Sequence, residues 1–190
     1  MLLNGTKHLF TVPVKNTSSN VFINEIQVSD MPYNWELKLI QTFRAAYKKA
    51  PFYKDVFLII ETLLATAKGQ NISFLSKESI CLVMNYLGMK TQIVESSSLY
   101  GNRELRNQER VIDICKKENA GIYINAIGGT LLYNKNDFEA EDIQLNFLRS
   151  NIKPYPQFDD SFTDRLSIID LLMFNSTDQI KIMLDQFELI

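Results

Sequence analysis

Two apolar, β-branched runs with a helical stretch between them set the tightest limit on how this chain folds. Thr91–Val94 and Gly121–Ile127 (GIYINAI) both have strand character, and Leu105–Glu118 carries Leu105, Val111, Ile114 and Cys115 at approximate helical spacing. Strand, helix and strand in that order predict a parallel pair with a crossover connection. The second run is nearly continuous in apolar residues, the pattern of a strand covered on both faces, and it stops at Gly128–Gly129. A further strand is expected at Ile143–Leu148, where Ile143, Leu145 and Phe147 alternate with Gln144 and Asn146.

The first half of the chain is helical after an extended start. His8–Val14 and Val21–Val28 flank the turn-formers Asn16–Asn20 and read as a β-hairpin, with Pro13 confining the first strand to an edge or an end. Asn34 is placed to cap a helix Trp35–Lys49 that turns Trp35, Leu39, Phe43, Ala46 and Tyr47 inward. Pro51 separates it from a second helix reaching about Lys68, striped by Phe52, Val56, Ile60, Leu63 and Ala67 and stopped by Gly69. A third, Ser76–Leu87, ends at Gly88. Near the C-terminus a Pro-rich turn at Pro154–Gln157 precedes helices Asp164–Asn175 and Asp178–Leu189, and Ser176 with Gln179 has capping-box spacing. The expected fold is α/β: a partly parallel sheet flanked by helices, with a β-hairpin near the N-terminus, in one domain over residues 1–190.

Composition removes several functional classes. With 20 basic and 22 acidic side chains in 190 residues the net charge is -2, unlike the basic stripe of a nucleic-acid binder. No apolar run reaches the roughly 18 residues of a membrane span. The N-terminus lacks the pattern of a secretory signal, so a cytoplasmic chain is expected. Cys81 and Cys115 sit in apolar periodic segments without metal-site spacing and read as buried thiols. The single histidine, His8, excludes a multi-histidine metal site within one subunit, so no metal site is expected. No serine stands in a nucleophile-elbow sequence.

Four places hold side chains that could do chemistry, each with a plainer alternative. Gly128–Gly129 follows a strand, where glycines let backbone approach a phosphate or a sugar, or simply turn the chain. Tyr155, Gln157, Asp159 and Asp160 can hold a sugar or nucleotide by stacking and hydrogen bonds, or form a Pro-stiffened, solvated turn. Asp170 lies between Ile169 and Leu171 in an apolar helix, so it either meets water or has a partner such as an arginine or a helix N-terminus. Arg110, beside the inward Val111, is a candidate for ion pairing or phosphate contact. The polar stretch Glu95–Glu104 has the composition of a surface loop, and such loops often carry function.

Several segments taken together resemble the WbqC-like proteins, bacterial proteins often encoded among O-antigen and other surface-polysaccharide genes. They are Thr11–Val14 (TVPV), Trp35 with its helix, Tyr47–Tyr53 (YKKAPFY), Glu109–Cys115 (ERVIDIC), Tyr123–Tyr133 (YINAIGGTLLY), Tyr155–Gln157 (YPQ) and Leu166–Asn175 (LSIIDLLMFN). The matched positions include Arg110, Gly128, Gly129, Tyr133, Tyr155, Gln157, Ser167, Asp170 and Asn175. Where relatives commonly have Ser–Gly before the glycine turn, this chain has Asn125–Ala126, which changes the local donor set. Family members usually begin earlier, with a segment resembling HQPNYLPWxGYF, so the chain is expected to lack an N-terminal strand segment.

The resemblance implies a transferase-like protein of surface-polysaccharide precursor synthesis, with aminoacyl or glycyl transfer to a sugar as the proposed reaction. Its small-molecule partner would be a nucleotide sugar or an acyl donor, bound by Asn125, Gly128, Gly129, Tyr133, Tyr155 and Gln157. Asp170 and Arg110 are the catalytic candidates, and no cofactor is specified. The alternative is a non-catalytic binding or scaffolding module, or a truncated and inactive remnant, for which an uncovered sheet edge and a homo-oligomer are the expected signs.

Overall fold

A computed structural model describes residues 1–15, 17–18, 20–158 and 161–190; the expected turn at Asn16–Asn20 lies partly, and Asp159 and Asp160 lie wholly, outside them. In chain order the elements are β1 (Leu2–Leu3), β2 (Thr6–Lys7), β3 (Val14–Lys15), β4 (Gln27–Val28), α1 (Trp35–Tyr47), α2 (Tyr53–Ala65), α3 (Ile72–Leu87), α4 (Asn107–Lys117), β5 (Ile122–Ala126), α5 (Lys135–Glu139), β6 (Gln144–Ser150), α6 (Ile168–Phe174), α7 (Thr177–Leu184) and β7 (Phe187–Leu189). Short 3-10 turns lie at Ile23–Glu25, Ser97–Tyr100 and Ile127–Leu131. The fold is mixed α/β. Two compact units divide the chain: Met1–Thr91 with Pro154–Ile182, and Gln92–Lys153 with Met183–Ile190.

The first unit is mainly helical. All five residues expected inward on α1, Trp35, Leu39, Phe43, Ala46 and Tyr47, are buried, because apolar groups at helical spacing face the core together. Asn34 does not cap that helix: its backbone is left-handed, at φ 59°, and its side chain makes no capping bond. α2 buries Val56, Phe57, Ile60 and Leu64. α3 starts earlier than its periodicity suggests, at Ile72, because Asn71 accepts a bond from the Phe74 amide at 2.7 Å. It ends at Gly88, whose left-handed φ of 67° suits glycine. Ser176 and Gln179 make the expected reciprocal cap at the start of α7.

The N-terminal strands pair as two short antiparallel hairpins, β1 with β2 and β3 with β4. The long strand expected over His8–Val14 shrinks to a pairing of Val14 with Val28 and of Lys15 with Gln27. Pro13 has no amide to donate, and its carbonyl accepts from Ser29 N–H at 2.8 Å.

The second unit is a three-stranded sheet, β5–β6–β7, with β5 parallel and β7 antiparallel to β6. A parallel pair is therefore present, one element later than the opening strand–helix–strand reading places it. Thr91–Val94 forms no strand, and Ile93 and Val94 are exposed. β5 pairs instead with Gln144–Ser150, reached through the 3-10 turn and α5. Nor is β5 covered on both faces: Ile122 and Ile124 are 57% and 48% exposed. Its other face carries Tyr123 against a core of Cys115, Phe138, Ile143, Leu145 and Phe147, to which Val111 and Ile112 of α4 contribute. The final helix stops at Leu184, and Phe187–Leu189 is recruited into the sheet against Leu148–Ser150.

Among the described residues, no helix is long and apolar enough to cross a membrane.

Candidate functional site

In the first unit the sequence candidates Tyr155, Gln157 and Asp170 come together with Tyr47 from α1. Asp170 is fully buried. Its Oδ1 accepts from Tyr155 O–H and from Gln157 Nε2, both at 2.8 Å, and its Oδ2 accepts from Tyr47 O–H at 2.8 Å. Its described partners include no arginine, and its full burial keeps it from the protein surface; two phenols and an amide bond to it. Each donor is itself oriented. Tyr47 Oη accepts from the Leu2 amide at 3.0 Å, so its hydrogen turns to Asp170. Gln157 Oε1 accepts from Thr163 N–H at 2.8 Å, which turns its Nε2 to the carboxylate and to Thr163 O.

The sequence reason is local as well as distant. Ser167 accepts from the Ile169 amide and starts α6, setting Asp170 in its first turn, and Pro154 and Pro156 stiffen the irregular segment that carries Tyr155 and Gln157 before that helix. Burial pushes the Tyr155 and Tyr47 hydroxyls well above the usual phenol range, and the adjacent Asp170 charge adds to the effect. The result is a closed network whose polar atoms face one another.

In the second unit, Asn125, Gly128, Gly129 and Tyr133 lie at the carboxyl end of β5. The two glycines differ in what surrounds them. A Cβ on Gly129 would stand 3.0 Å from Asn125 Cγ and 3.2 Å from Tyr133 Cδ2, so those two side chains would have to give way by a few tenths of an ångström to admit it. A Cβ on Gly128 would meet nothing within 4 Å, and Gly128 is exposed without a positive φ. Neither packing nor backbone conformation within the chain calls for glycine at position 128.

Asn125 is fixed at both ends of its amide: Nδ2 donates to Tyr123 Oη at 3.0 Å and Oδ1 accepts from the Ala126 amide at 2.6 Å. Tyr123, Tyr133 and Phe138 form an aromatic cluster with ring centroids 5.6–6.1 Å apart. Burial, with Tyr133 beside it, pushes the Tyr123 hydroxyl up to about 12. Tyr123 is not among the residues that the sequence singles out for this place; its alternation with Ile122 and Ile124 is the signal that turns it toward the core.

Arg110, on α4, belongs to this same unit, and Asp170 belongs to the first. It donates from Nε to Asn102 Oδ1 and from an Nη to Ser97 Oγ, each at 3.1 Å. Asn102 is 1% exposed, a burial that its position in a polar loop does not announce.

Two further observations bear on chemistry. An apolar groove of about 490 Å³ in the first unit is lined by Phe10, Val56, Ile60, Leu75, Val83 and Leu172 among others. Its serines bond to nearby backbone, Ser76 to Ile72 O and Ser79 to Ser76 O, so the groove offers little for a sugar or nucleotide to bond. Among the described residues no group of three or more His, Cys, Asp or Glu side chains is arranged to hold a metal ion.

A family model described as the WbqC-like protein family matches residues 1–182 of the chain. No curated protein matches the chain, and no solved structure does.

Proposed function

The chain belongs to the WbqC-like protein family, and on that premise we propose that it is a cytoplasmic, transferase-like protein of surface-polysaccharide precursor synthesis. In this reading a nucleotide sugar or an activated acyl donor docks at the carboxyl end of β5, and an aminoacyl or glycyl group is transferred to a sugar. The observation that carries it is the contrast between the two glycines. Gly129 is closely packed by its neighbours, whereas Gly128 faces open space and leaves backbone accessible to a ligand. Ligands of open α/β sheets bind beyond the carboxyl ends of parallel strands, where this turn lies. Asn125 and Tyr133 would shape the wall, and Tyr155, Gln157 and Asp170 would act as scaffold in their own unit.

Thermal melting with a panel of nucleotide sugars and acyl donors tests this. A true ligand at a hundred times its Kd stabilises by about 2.7 kcal/mol, which shifts Tm by several degrees in a chain of this size. Gly128→Val should abolish that shift. If no donor moves the melting point of the unsubstituted protein, the reading fails.

One observation favours a non-catalytic binding module instead. Among the described residues β5 pairs with β6 alone, and Ile122 and Ile124 are exposed beside that open edge, an arrangement that invites pairing with another chain. Light scattering distinguishes the two: a dimer that Ile124→Lys dissociates supports the module, and a monomer at all concentrations argues against it.

A further inference from the structure

We propose that Arg110, oriented by Asn102 and Ser97, forms a binding site for an oxyanion, the phosphate or carboxylate group of a small-molecule ligand. The first ground is how the guanidinium is held. Asn102 grips residue 110 from both ends: its Oδ1 accepts from Arg110 Nε at 3.1 Å, and its Nδ2 donates to the Arg110 carbonyl at 3.4 Å. Asn102 is in turn locked, because Nδ2 also donates to Asp113 Oδ2 at 2.6 Å. A fully buried amide thus fixes the direction of a half-buried cation.

The second ground is charge. Both described partners of the Arg110 side chain are neutral, and among the described residues no carboxylate lies within ion-pair distance of it. Three other basic side chains of the same unit are matched: Lys117 with Asp113 at 2.7 Å, Arg149 with Glu188 at 2.9 Å, and Lys116 with Glu141. The carboxylate nearest the anchor, Asp113, is held below the usual carboxylate range by the Lys117 bond and then by Asn102, so its charge is already answered. Arg110 therefore adds a positive charge that the fold orients without neutralising.

The third ground is donor supply. Two of the five guanidinium N–H groups are engaged, which leaves an arginine edge of the kind that grips phosphate or carboxylate in pairs of bonds. Ser97 Oγ accepts from Arg110, which leaves its own hydrogen to donate beside that edge. The Glu95–Glu104 loop, which the glycine turn does not involve, thereby gains a role, since its Ser97 and Asn102 aim the arginine.

Such a site would receive the anionic half of a donor, which is where it extends the proposed function, yet its geometry does not depend on Gly128. The test uses inorganic phosphate and acetate as separate probes, titrated at constant ionic strength and followed by the Arg110 Nε–H resonance of the unsubstituted protein. A saturable shift with phosphate points to a phosphate-bearing ligand, and one with acetate alone to a carboxylate. Arg110→Gln should weaken the bound probe at least tenfold, Ser97→Ala several-fold, and Arg110→Lys should recover part of the loss. The inference is overturned if neither anion moves the Nε–H resonance, or if a folded Arg110→Gln binds as well as the parent. It is also overturned if donor binding survives Arg110→Gln undiminished, a result that leaves the glycine-turn reading intact. A saturable phosphate shift in a protein that binds no donor supports the anion site and removes the donor reading.

Discussion

The Asp170 cluster and the glycine turn are both polar constellations built on positions that resemble the family, yet they are put together in opposite ways. Around Asp170 every described donor and acceptor is used within the chain: two phenols and an amide point at one buried carboxylate, and Tyr47 and Gln157 are each aimed by a second bond. At the glycine turn the inner residue is packed tight and the outer one is bare. A constellation closed on itself specifies a fold, whereas one that leaves backbone open has room for something else. Residue type makes both Asp170 and the glycine pair candidates, and the geometry separates them: the bonding groups around Asp170 are engaged within the chain, whereas Gly128 stands exposed with open space beside it.

The comparison can be broken most forcefully at Asp170. Asp170→Ala takes the acceptor from two buried phenols and one part-buried amide N–H and should cost about 3–5 kcal/mol, read from urea denaturation. Asp170→Asn is the sharper probe. The donors are fixed in direction, so the new amide sets an N–H against an O–H, and the near-isosteric change should still cost about 2–3 kcal/mol. A loss under about 0.5 kcal/mol, typical of a surface substitution, would show that the network is not held as described.

Next in size is Gly129→Ala, whose Cβ crowds the Asn125 and Tyr133 side chains and should cost about 1–3 kcal/mol. Alkali probes the closed cluster by another route. Because the folded-state values of Tyr47 and Tyr155 are raised, both phenols stay protonated in the folded protein when the unfolded chain begins to ionise near pH 10. The unfolded state then binds fewer protons, so their contribution is fully present below about pH 10 and is lost as pH rises above it. Tyr47→Phe should flatten that alkaline slope in a denaturation series. The smallest effect is expected at Gly128→Ala, between no change and a gain of about 1 kcal/mol, since the site has room and the substitution restricts the unfolded chain.

The face of α1 is legible in the sequence because periodicity reports burial: its stripe is buried residue for residue, and Gly88 stops α3, whereas Ile80, at inward spacing on α3, is exposed and Leu63 on α2 is half-buried. Short elements are less legible. β7 exists through pairing with β6, a partner that no local pattern names, and Thr91–Val94 has strand-like residues but no strand beside it; β1 and β2 are the exception, since Asn4–Gly5 between them, both at positive φ, is a hairpin signal. The same limit governs the sites. The cost of burying Asp170 signals that it needs a partner, but its partners include a tyrosine 123 positions away, and nothing local distinguishes that hydroxyl from an arginine. The glycine pair is visible as a turn. That its two members have different surroundings depends on Tyr133 and Asn125 folding back over one of them.

The most direct test pairs Tyr155→Phe with Gly128→Val and measures, in each, both the melting point and the shift produced by whichever donor stabilises the parent. If the buried cluster is scaffold and the glycine turn is the docking site, Tyr155→Phe melts earlier and keeps the donor shift, while Gly128→Val melts near the parent and loses it. The reverse pattern, with the shift lost at Tyr155 and kept at Gly128, would contradict that division by placing the ligand at the buried acid.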